Sequence, residues 1–342
     1  MALIPLGFLW MGCQSTNDDN GPWLIPKGEV FDDGAGTDGI IALDNPSVEP
    51  AANITYLKSG KLVIGVKIGD QVRAYPHDIL DWHEIVNDDF DSASLAMTYC
   101  PLTGSGVAWN RVVEGDTTTF GVTSMLYNSN LMPYDRATRS YWSQMKLLCV
   151  HGEHIGTTAE TFPVVETTWR TWLKMYPDSE VVTTQTGYNR PYGQYPYLDY
   201  RTSDFLIWPI SNDDSRLFRK ERVAGVIVGE RAKVYRFITF VDTVRTINDS
   251  FEGVPLVIVG SARDNLVVIF NRILNGNLLI FTPLQGQLPA VMKDDGGTTW
   301  DVFGRGLAGP LAGKQLPLPR TFIAYWFAWA AFYPEAEIYS DS

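Results

Sequence analysis

An internal repeat is the feature that most constrains this chain. Asn87-Asp88 recurs as Asn248-Asp249 (248 − 87 = 161), and Trp169 recurs as Trp326 (326 − 169 = 157). Three further pairs follow the same interval: Val63–Asp70 with Val223–Glu230, Val107–Arg111 with Val268–Arg272, and Trp172 with Trp329. Because the interval drifts so little, the pattern predicts a duplicated unit.

The repeat divides the chain into two tandem homologous units that pack together. The first predicted unit covers residues 56–182 and the second 216–340, with a connector rich in tyrosine, proline and glycine over 183–215. Alternating apolar residues in 62–68 and 71–75 predict a β-hairpin across Gly69-Asp70. The patterns also predict strands over 94–99 and 106–113, and helices over 78–86, 167–176 and 324–333. The predicted fold class is α+β, mainly β.

Composition excludes several classes of protein. The 342 residues include 27 basic and 39 acidic side chains, a net charge of −12. Nucleic acid and anionic lipid both attract basic surfaces, so neither is expected as the main partner. Apolar runs stay below the roughly 20 residues of a membrane-spanning helix. Three cysteines are too few to frame a domain with disulfides.

The N-terminal segment resembles an export signal. An apolar run ends at Cys13, and a polar stretch follows it. This order is similar to the end of a bacterial lipoprotein signal, in which the cysteine becomes the lipidated N-terminus. We therefore exclude residues 1–25 from the fold and expect an exported, periplasmic or cell-surface lipoprotein with Cys13 as the lipidation site. A disordered apolar tail is the alternative.

Reactive side chains are confined to the first unit. All four histidines and both cysteines beyond Cys13 lie there. At the interval of 161, the counterparts of His83, Glu84 and Cys100 are Val244, Arg245 and Ser261. The simplest interpretation of this difference is that the first unit carries one functional site and that the second unit is a structural copy.

Two chemistries suit the residues around Cys100. A strand-end cysteine before a tight turn is a candidate nucleophile, with His83 as its base and Glu84 assisting. One thiolate and one imidazole are alternatively ligands for copper or zinc, which makes His83 and Cys100 candidate metal ligands. The structural alternative is a buried thiol and a buried, hydrogen-bonded histidine.

A second set of polar residues predicts a ligand-binding rim. Its members are closely spaced in the sequence: Asn128, Asn130, Asp135, Arg136 and Gln144. Such a set suits a small polar or anionic ligand, with Arg136 recognising a carboxylate or phosphate. Cys149, His151 and His154 also have metal-ligand spacing, but an incidental surface turn is favoured for them.

Several motifs together resemble one bacterial family. They are the runs from His83 to Asp88, from Thr98 to Ser105, from Leu126 to Asn130, from Tyr134 to Arg136 and from Trp142 to Gln144. These runs are similar to the domain-of-unknown-function family 3179, and the similarity extends from about residue 55 to 340. The resemblance implies relationship and leaves function open.

Three functional hypotheses follow. The first is an exported protein that binds a metal ion or small polar ligand at a single site in the first unit. The second is a cysteine-dependent hydrolase or acyl transferase that uses Cys100 and His83. The third is a structural partner-binding module whose contact surface is the connector between Tyr188 and Tyr200.

Overall fold

The computed structural model describes residues 21–341, so Cys13 lies outside the described residues. Strands account for 43% of the residues and helices for 9%, which confirms the α+β, mainly β class. Within residues 21–341, no helix has the length and apolar character needed to cross a membrane.

The first half contains seventeen strands and two α-helices among the described residues. In chain order they are β1 (Val30–Asp32), β2 (Leu43–Asp44), β3 (Val48–Pro50), β4 (Leu62–Ile68), β5 (Gln71–Pro76), α1 (His77–His83), β6 (Ile85–Phe90), β7 (Ala93–Cys100), β8 (Ser105–Asn110), β9 (Val112–Val113), β10 (Asp116–Thr117), β11 (Phe120–Tyr127), β12 (Asn130–Asp135), β13 (Tyr141–Ser143), β14 (Leu148–His151), β15 (Thr161–Phe162), β16 (Val164–Thr168), α2 (Trp169–Met175) and β17 (Glu180–Val182).

The second half contains thirteen strands and one α-helix among the described residues. They are β18 (Arg222–Val228), β19 (Arg231–Arg236), β20 (Arg245–Phe251), β21 (Val254–Ser261), β22 (Leu266–Asn271), β23 (Ile273–Leu274), β24 (Asn277–Leu278), β25 (Phe281–Pro283), β26 (Ala290–Asp294), β27 (Thr299–Asp301), β28 (Gly306–Ala308), β29 (Arg320–Tyr325), α3 (Trp326–Phe332) and β30 (Glu337–Ile338). Single 3-10 turns lie at Lys27–Glu29, Ala51–Asn53 and Phe237–Thr239.

Three sheets of the first half have counterparts in the second. The strand order β16-β4-β5-β17 matches β29-β18-β19-β30, and the meander β6-β7-β8 matches β20-β21-β22. The meander β11 to β14 likewise matches β25 to β28. In each half the last strand pairs in parallel with the second strand of the first hairpin, β17 with β5 and β30 with β19.

An asparagine joins the same two meanders by hydrogen bonds in both halves. The amide of Asn87 donates to the carbonyl of Phe120 at 2.9 Å and accepts from its N–H at 2.8 Å. Asn248 makes both bonds with Phe281, at 2.8 and 2.9 Å. These asparagines fix the first strand of one meander against the first strand of the next.

Each half contributes a helix to a core that the other half completes. Trp172 of α2 belongs to an apolar cluster with Trp300 and Phe303 of the second half. Trp329 of α3 belongs to a cluster with Trp142 of the first half. The halves are therefore interlocked, because removing either one would expose the other's core to water.

Two glycines permit this packing. A Cβ placed on Gly65 of β4 would lie 1.9 Å from the ring of Trp172, and one on Gly225 of β18 would lie 2.2 Å from Trp329. Each tryptophan thus lies directly on the backbone of a central strand. Trp169 and Trp172 lie three residues apart on one helical face, and both are buried.

The predicted helix bounds were too wide. The helix expected over 78–86 covers His77–His83, and Ile85 already belongs to β6. Glu84 leaves the helix because its carbonyl accepts from the N–H of Tyr99 at 2.6 Å, which is strand pairing. The helices expected over 167–176 and 324–333 begin at Trp169 and Trp326, since the two residues before each lie in strands.

Candidate functional site

The end of α1 places a buried carboxyl beside Cys100. Glu84 terminates the helix with φ 57° and ψ −37°, a strained conformation for a residue with a side chain. Burial, followed by the charges of Asp33 and Asp81, raises the pKa of Glu84 to about 8. Glu84 is therefore mostly a neutral carboxylic acid at pH 7 and can donate a hydrogen bond.

Cys100 lies at the end of β7 with its side chain buried. Its thiol donates to the carbonyl of Ser129 across 3.8 Å. Burial and the nearby charge of Glu84 raise the pKa of Cys100 to about 11. Hydrogen bonds from Thr103 and from the N–H of Leu131 to the sulfur act in the opposite direction but do not cancel this rise. In this closed arrangement the sulfur is a thiol rather than a thiolate at neutral pH.

His83 does not pair with Cys100. Its Nδ1 lies 2.7 Å from the carbonyl oxygen of Ile41, which can only accept, so Nδ1 carries the proton. Its Nε2 lies 2.7 Å from the hydroxyl of Tyr192. Burial lowers the pKa of His83. Both ring nitrogens are therefore occupied, and the expected base–nucleophile pair is not formed.

A buried hydrogen-bond network of uncharged side chains lies next to Cys100. Ser105 donates to the amide oxygen of Gln144 at 2.6 Å and lies 2.8 Å from the hydroxyl of Thr103. Asn130 donates to Thr103 at 2.9 Å and to Gln144 at 2.8 Å. Gln144 donates in turn to Thr98 at 2.9 Å. All five side chains are almost completely buried.

The matching positions of the second half are mostly apolar. β7 and β8 pair Thr98 with Val107 and Cys100 with Ser105, whereas β21 and β22 pair Val259 with Val268 and Ser261 with Leu266. Thr98, Ser105 and Gln144 thus correspond to Val259, Leu266 and Val302. Because the same strands form around apolar residues, the backbone does not require this network.

We expect Gln144→Val, which introduces the second half's residue, to lower the free energy of unfolding by about 3 kcal/mol. The change removes the amide oxygen that accepts from Ser105 and from Asn130, in a place that water does not reach. The double variant Ser105→Ala/Gln144→Val should lose less than the sum of the single losses, because both changes act on one network. Urea unfolding measures these values, and an unchanged midpoint for Gln144→Val would contradict the prediction.

Asn128 and Ser129 attach the connector to the site. Both have positive φ and form the tight turn between β11 and β12. The side-chain oxygen of Asn128 accepts from the N–H of Ser211 at 2.7 Å, and Ser129 donates to the carbonyl of Trp208 at 2.7 Å. Asn128 also donates to Ala331 of α3 at 3.3 Å.

Asp135 and Arg136 lie at the opposite end of the β11–β12 hairpin. Five residues separate Asp135 from Asn130, about 17 Å along an extended strand. The carboxylate of Asp135 accepts from the indole of Trp142 at 3.2 Å, and Arg136 lies 3.2 Å from the carboxylate of Asp44. The expected single rim is therefore divided, and only Asn128, Asn130 and Gln144 lie near Cys100.

Tyrosines of the connector complete the site, and the sequence did not indicate this. Tyr200 is buried, and its hydroxyl has no hydrogen-bond partner within residues 21–341. Burial, then the charge of Cys100, raises the pKa of Tyr200. Burial, then Glu84 and Cys100, raises that of Tyr197. The ammonium of Lys220 lies 3.7 Å from the ring centre of Tyr200.

The connector covers this face of the first half. The indole of Trp82 donates to the carbonyl of Gln194 at 3.0 Å, and the hydroxyl of Tyr195 donates to Pro101 at 3.0 Å. Arg201 forms an ion pair with Asp81 on α1. Tyr195, one of the tyrosines of the predicted contact surface, thus contacts the first half of its own chain.

Within residues 21–341, the candidate metal ligands are not brought together into one centre. In the described part of the chain, no three His, Cys, Asp or Glu side chains are grouped so that they could hold a metal ion. His83 is turned toward Ile41 and Tyr192, as described above. His151 is stacked on Trp23, and His154 lies near Glu114 rather than Cys149. The expected copper or zinc ligand pair does not fit this geometry.

Comparison with known proteins identifies the family. A protein-family model described as protein of unknown function (DUF3179) matches residues 37–336, which is most of the chain. The chain belongs to the DUF3179 family. No curated protein and no solved structure matches it. In this DUF3179 protein, the matched range includes most of both halves and the whole connector, so the site around Cys100 lies within the family region.

Proposed function

We propose that this protein binds one small polar ligand at a single site in the first half, next to Glu84 and Cys100. One observation carries the proposal: a buried polar network ends beside Cys100, and the second half replaces most of it with apolar residues. Maintaining buried polar groups that the backbone does not need is best explained by a ligand that uses them.

The groups at the site favour a ligand with hydrogen-bond acceptors and no negative charge. Glu84 as a neutral acid, the thiol of Cys100 and the free hydroxyl of Tyr200 are all donors at pH 7. The carboxylates of Asp33 and Asp81 disfavour an anion there. We infer a neutral carbonyl-bearing molecule, such as an amide, a sugar or an ester.

We further propose that the two halves arose by duplication and that only the first retained the site. This origin is supported by the recurring residues, by the matching strand orders and by the equivalent hydrogen bonds of Asn87 and Asn248. The second half then serves the site by supplying α3, which packs against the first half's core.

A cysteine-dependent hydrolase or acyl transferase is the second candidate. Thr103 and the N–H of Leu131 donate hydrogen bonds to the Cys100 sulfur. Such hydrogen bonds stabilise a thiolate when it forms. In that case Glu84 rather than His83 is the acid–base group, because both nitrogens of His83 are occupied.

A thermal-shift survey tests the binding proposal. Neutral amides, sugars and esters are added at millimolar concentration, and each compound that raises the Tm is measured again with Glu84→Leu and with the matched Arg245→Leu. A ligand at a hundred times its Kd should raise the Tm by about 4 °C. We expect this shift to disappear in Glu84→Leu and to remain in Arg245→Leu. Equal shifts in both variants, or no stabilising compound, would contradict the proposal.

We also propose that the protein is exported and anchored by lipid at Cys13, because the sequence before Cys13 is similar to a lipoprotein signal. Cys13→Ser is expected to move the protein from the membrane fraction to the soluble fraction, since a thioether-linked lipid needs the sulfur. Cell fractionation with immunodetection measures this. A Cys13→Ser variant that stays fully in the membrane fraction would exclude this anchor.

A further inference from the structure

A second cleft lies between α2 of the first half and the turn that follows β21 of the second half. Its volume is about 500 Å³, within the range of small-molecule sites. One wall carries Arg170 and Lys174 of α2, and the other carries Arg263 of the turn. Hydroxyl groups of Ser59 and Thr243 add hydrogen-bond donors to the lining.

The three basic side chains of the cleft are exposed and lack carboxylate partners. Ten arginines and three lysines elsewhere in the described chain form ion pairs. Within residues 21–341, no ion pair involves Arg170, Lys174 or Arg263, and the guanidinium of Arg170 donates one hydrogen bond, to the hydroxyl of Ser59 at 3.4 Å. In a chain of net charge −12, these three cations form a local positive surface around one cavity, which suits an anion.

Two carboxylates also line the cleft, and they limit the positive charge without cancelling it. Asp264 already accepts a hydrogen bond from the hydroxyl of Ser261 at 2.8 Å. Asp242 is exposed. Three cations against two carboxylates leave one net positive charge, and Arg170 and Lys174, four residues apart, share one face of α2.

The corresponding face of α3 in the second half has a different character. By the interval of 157 between the helices, Arg170 and Lys174 correspond to Phe327 and Ala331 of α3. That apolar face is covered by the connector, since the hydroxyl of Ser211 donates to the carbonyl of Ala331 at 3.3 Å. The cleft beside α2 is thus open and charged, whereas the corresponding face of α3 is covered by the connector.

We propose that this open cleft binds a small anionic ligand that carries two or more carboxylate or phosphate groups. Two anionic groups suit the cleft because its cations come from two different elements, α2 and the turn after β21. Arg170 and Arg263 can each form paired hydrogen bonds to a planar carboxylate or to phosphate, and Lys174 adds a point charge. The site is separate from Cys100 and Glu84. Its ligand is anionic, whereas the molecule proposed for the Cys100 site is neutral.

Isothermal titration of the full-length protein with citrate and with inorganic pyrophosphate tests this proposal. At low ionic strength we expect binding of at least one probe, weakened about tenfold or more in Lys174→Gln and in Arg263→Gln. Lys58→Gln removes an exposed lysine outside the cleft and should bind as the native protein does. Raising the salt concentration should weaken binding further, because the cations are exposed.

Three results would overturn the proposal. They are the absence of binding by both probes, equal affinity in the native protein and both cleft variants, and loss of binding in Glu84→Leu with retention in Arg263→Gln. The last result would place the anion at the Cys100 site. Circular dichroism of each variant checks that folding is unchanged, and Lys174 and Arg263 are exposed, so their substitution removes no core contact.

Discussion

Glu84→Gln is expected to gain about 4 kcal/mol of unfolding free energy, relative to the native protein, as the pH rises from 5 to 8. The folded-state pKa of Glu84 is about 8, whereas a glutamate in an unfolded chain titrates near 4.3. Between these values the unfolded chain loses the proton and the folded protein keeps it. Raising the pH through this window therefore favours the unfolded state of the native protein by about 1.4 kcal/mol per pH unit.

Glutamine removes this dependence because it does not ionise. Urea unfolding at pH 5, 6, 7 and 8 measures the difference between the two proteins, and their curves should be closest at pH 5 and furthest apart at pH 8. Glu335→Gln, which changes an exposed glutamate, is the control and should follow the native protein. A constant difference between Glu84→Gln and the native protein would show that Glu84 is ionised in the folded state at pH 7.

Cys100 is expected to react with iodoacetamide at pH 7 at least about 300-fold more slowly than an unperturbed thiol. Only the thiolate reacts, and a pKa of about 11 in place of about 8.5 lowers the thiolate fraction by this factor. The rate should rise about tenfold per pH unit between pH 7 and 10. The cover formed by Tyr200 and the connector slows the reaction further.

Mass spectrometry of digested protein follows each cysteine separately. Cys149 is the internal control, because it is also buried and burial raises its pKa to about 12. Equally rapid modification of Cys100 and Cys149 would report general unfolding. Rapid modification of Cys100 at pH 7 with Cys149 intact would contradict a protonated thiol and would favour the cysteine-dependent hydrolase.

Local sequence patterns predicted much of the fold. The hairpin across Gly69-Asp70 and the burial of Trp169 and Trp172 follow from alternation and helical spacing, and the structure contains both. The end of α1 did not follow, because Glu84 leaves the helix to bond with Tyr99, a contact between elements. The interval between repeats also could not indicate that α2 packs against the second half, since periodicity marks a buried face and not its partner.

The candidate site was predicted only in part, because contacts between distant elements also determine its geometry. The difference between the halves indicated Cys100, and Asn130 and Gln144 do lie in the network beside it. Pairing His83 with Cys100 relied on their both belonging to the first half, but tertiary contacts turn the imidazole toward Ile41. Tyr200 was missed because a connector rich in tyrosine and proline resembles a surface loop, and only the folded chain shows that it is buried.

Native mass spectrometry of the protein, isolated without denaturation from the cells that make it, tests the central claim most directly. We expect one small molecule bound per chain in the native protein and in Arg245→Leu, and none in Glu84→Leu. A native protein whose mass equals that of its chain alone, or a bound molecule that persists in Glu84→Leu, would contradict a single ligand site next to Glu84 and Cys100.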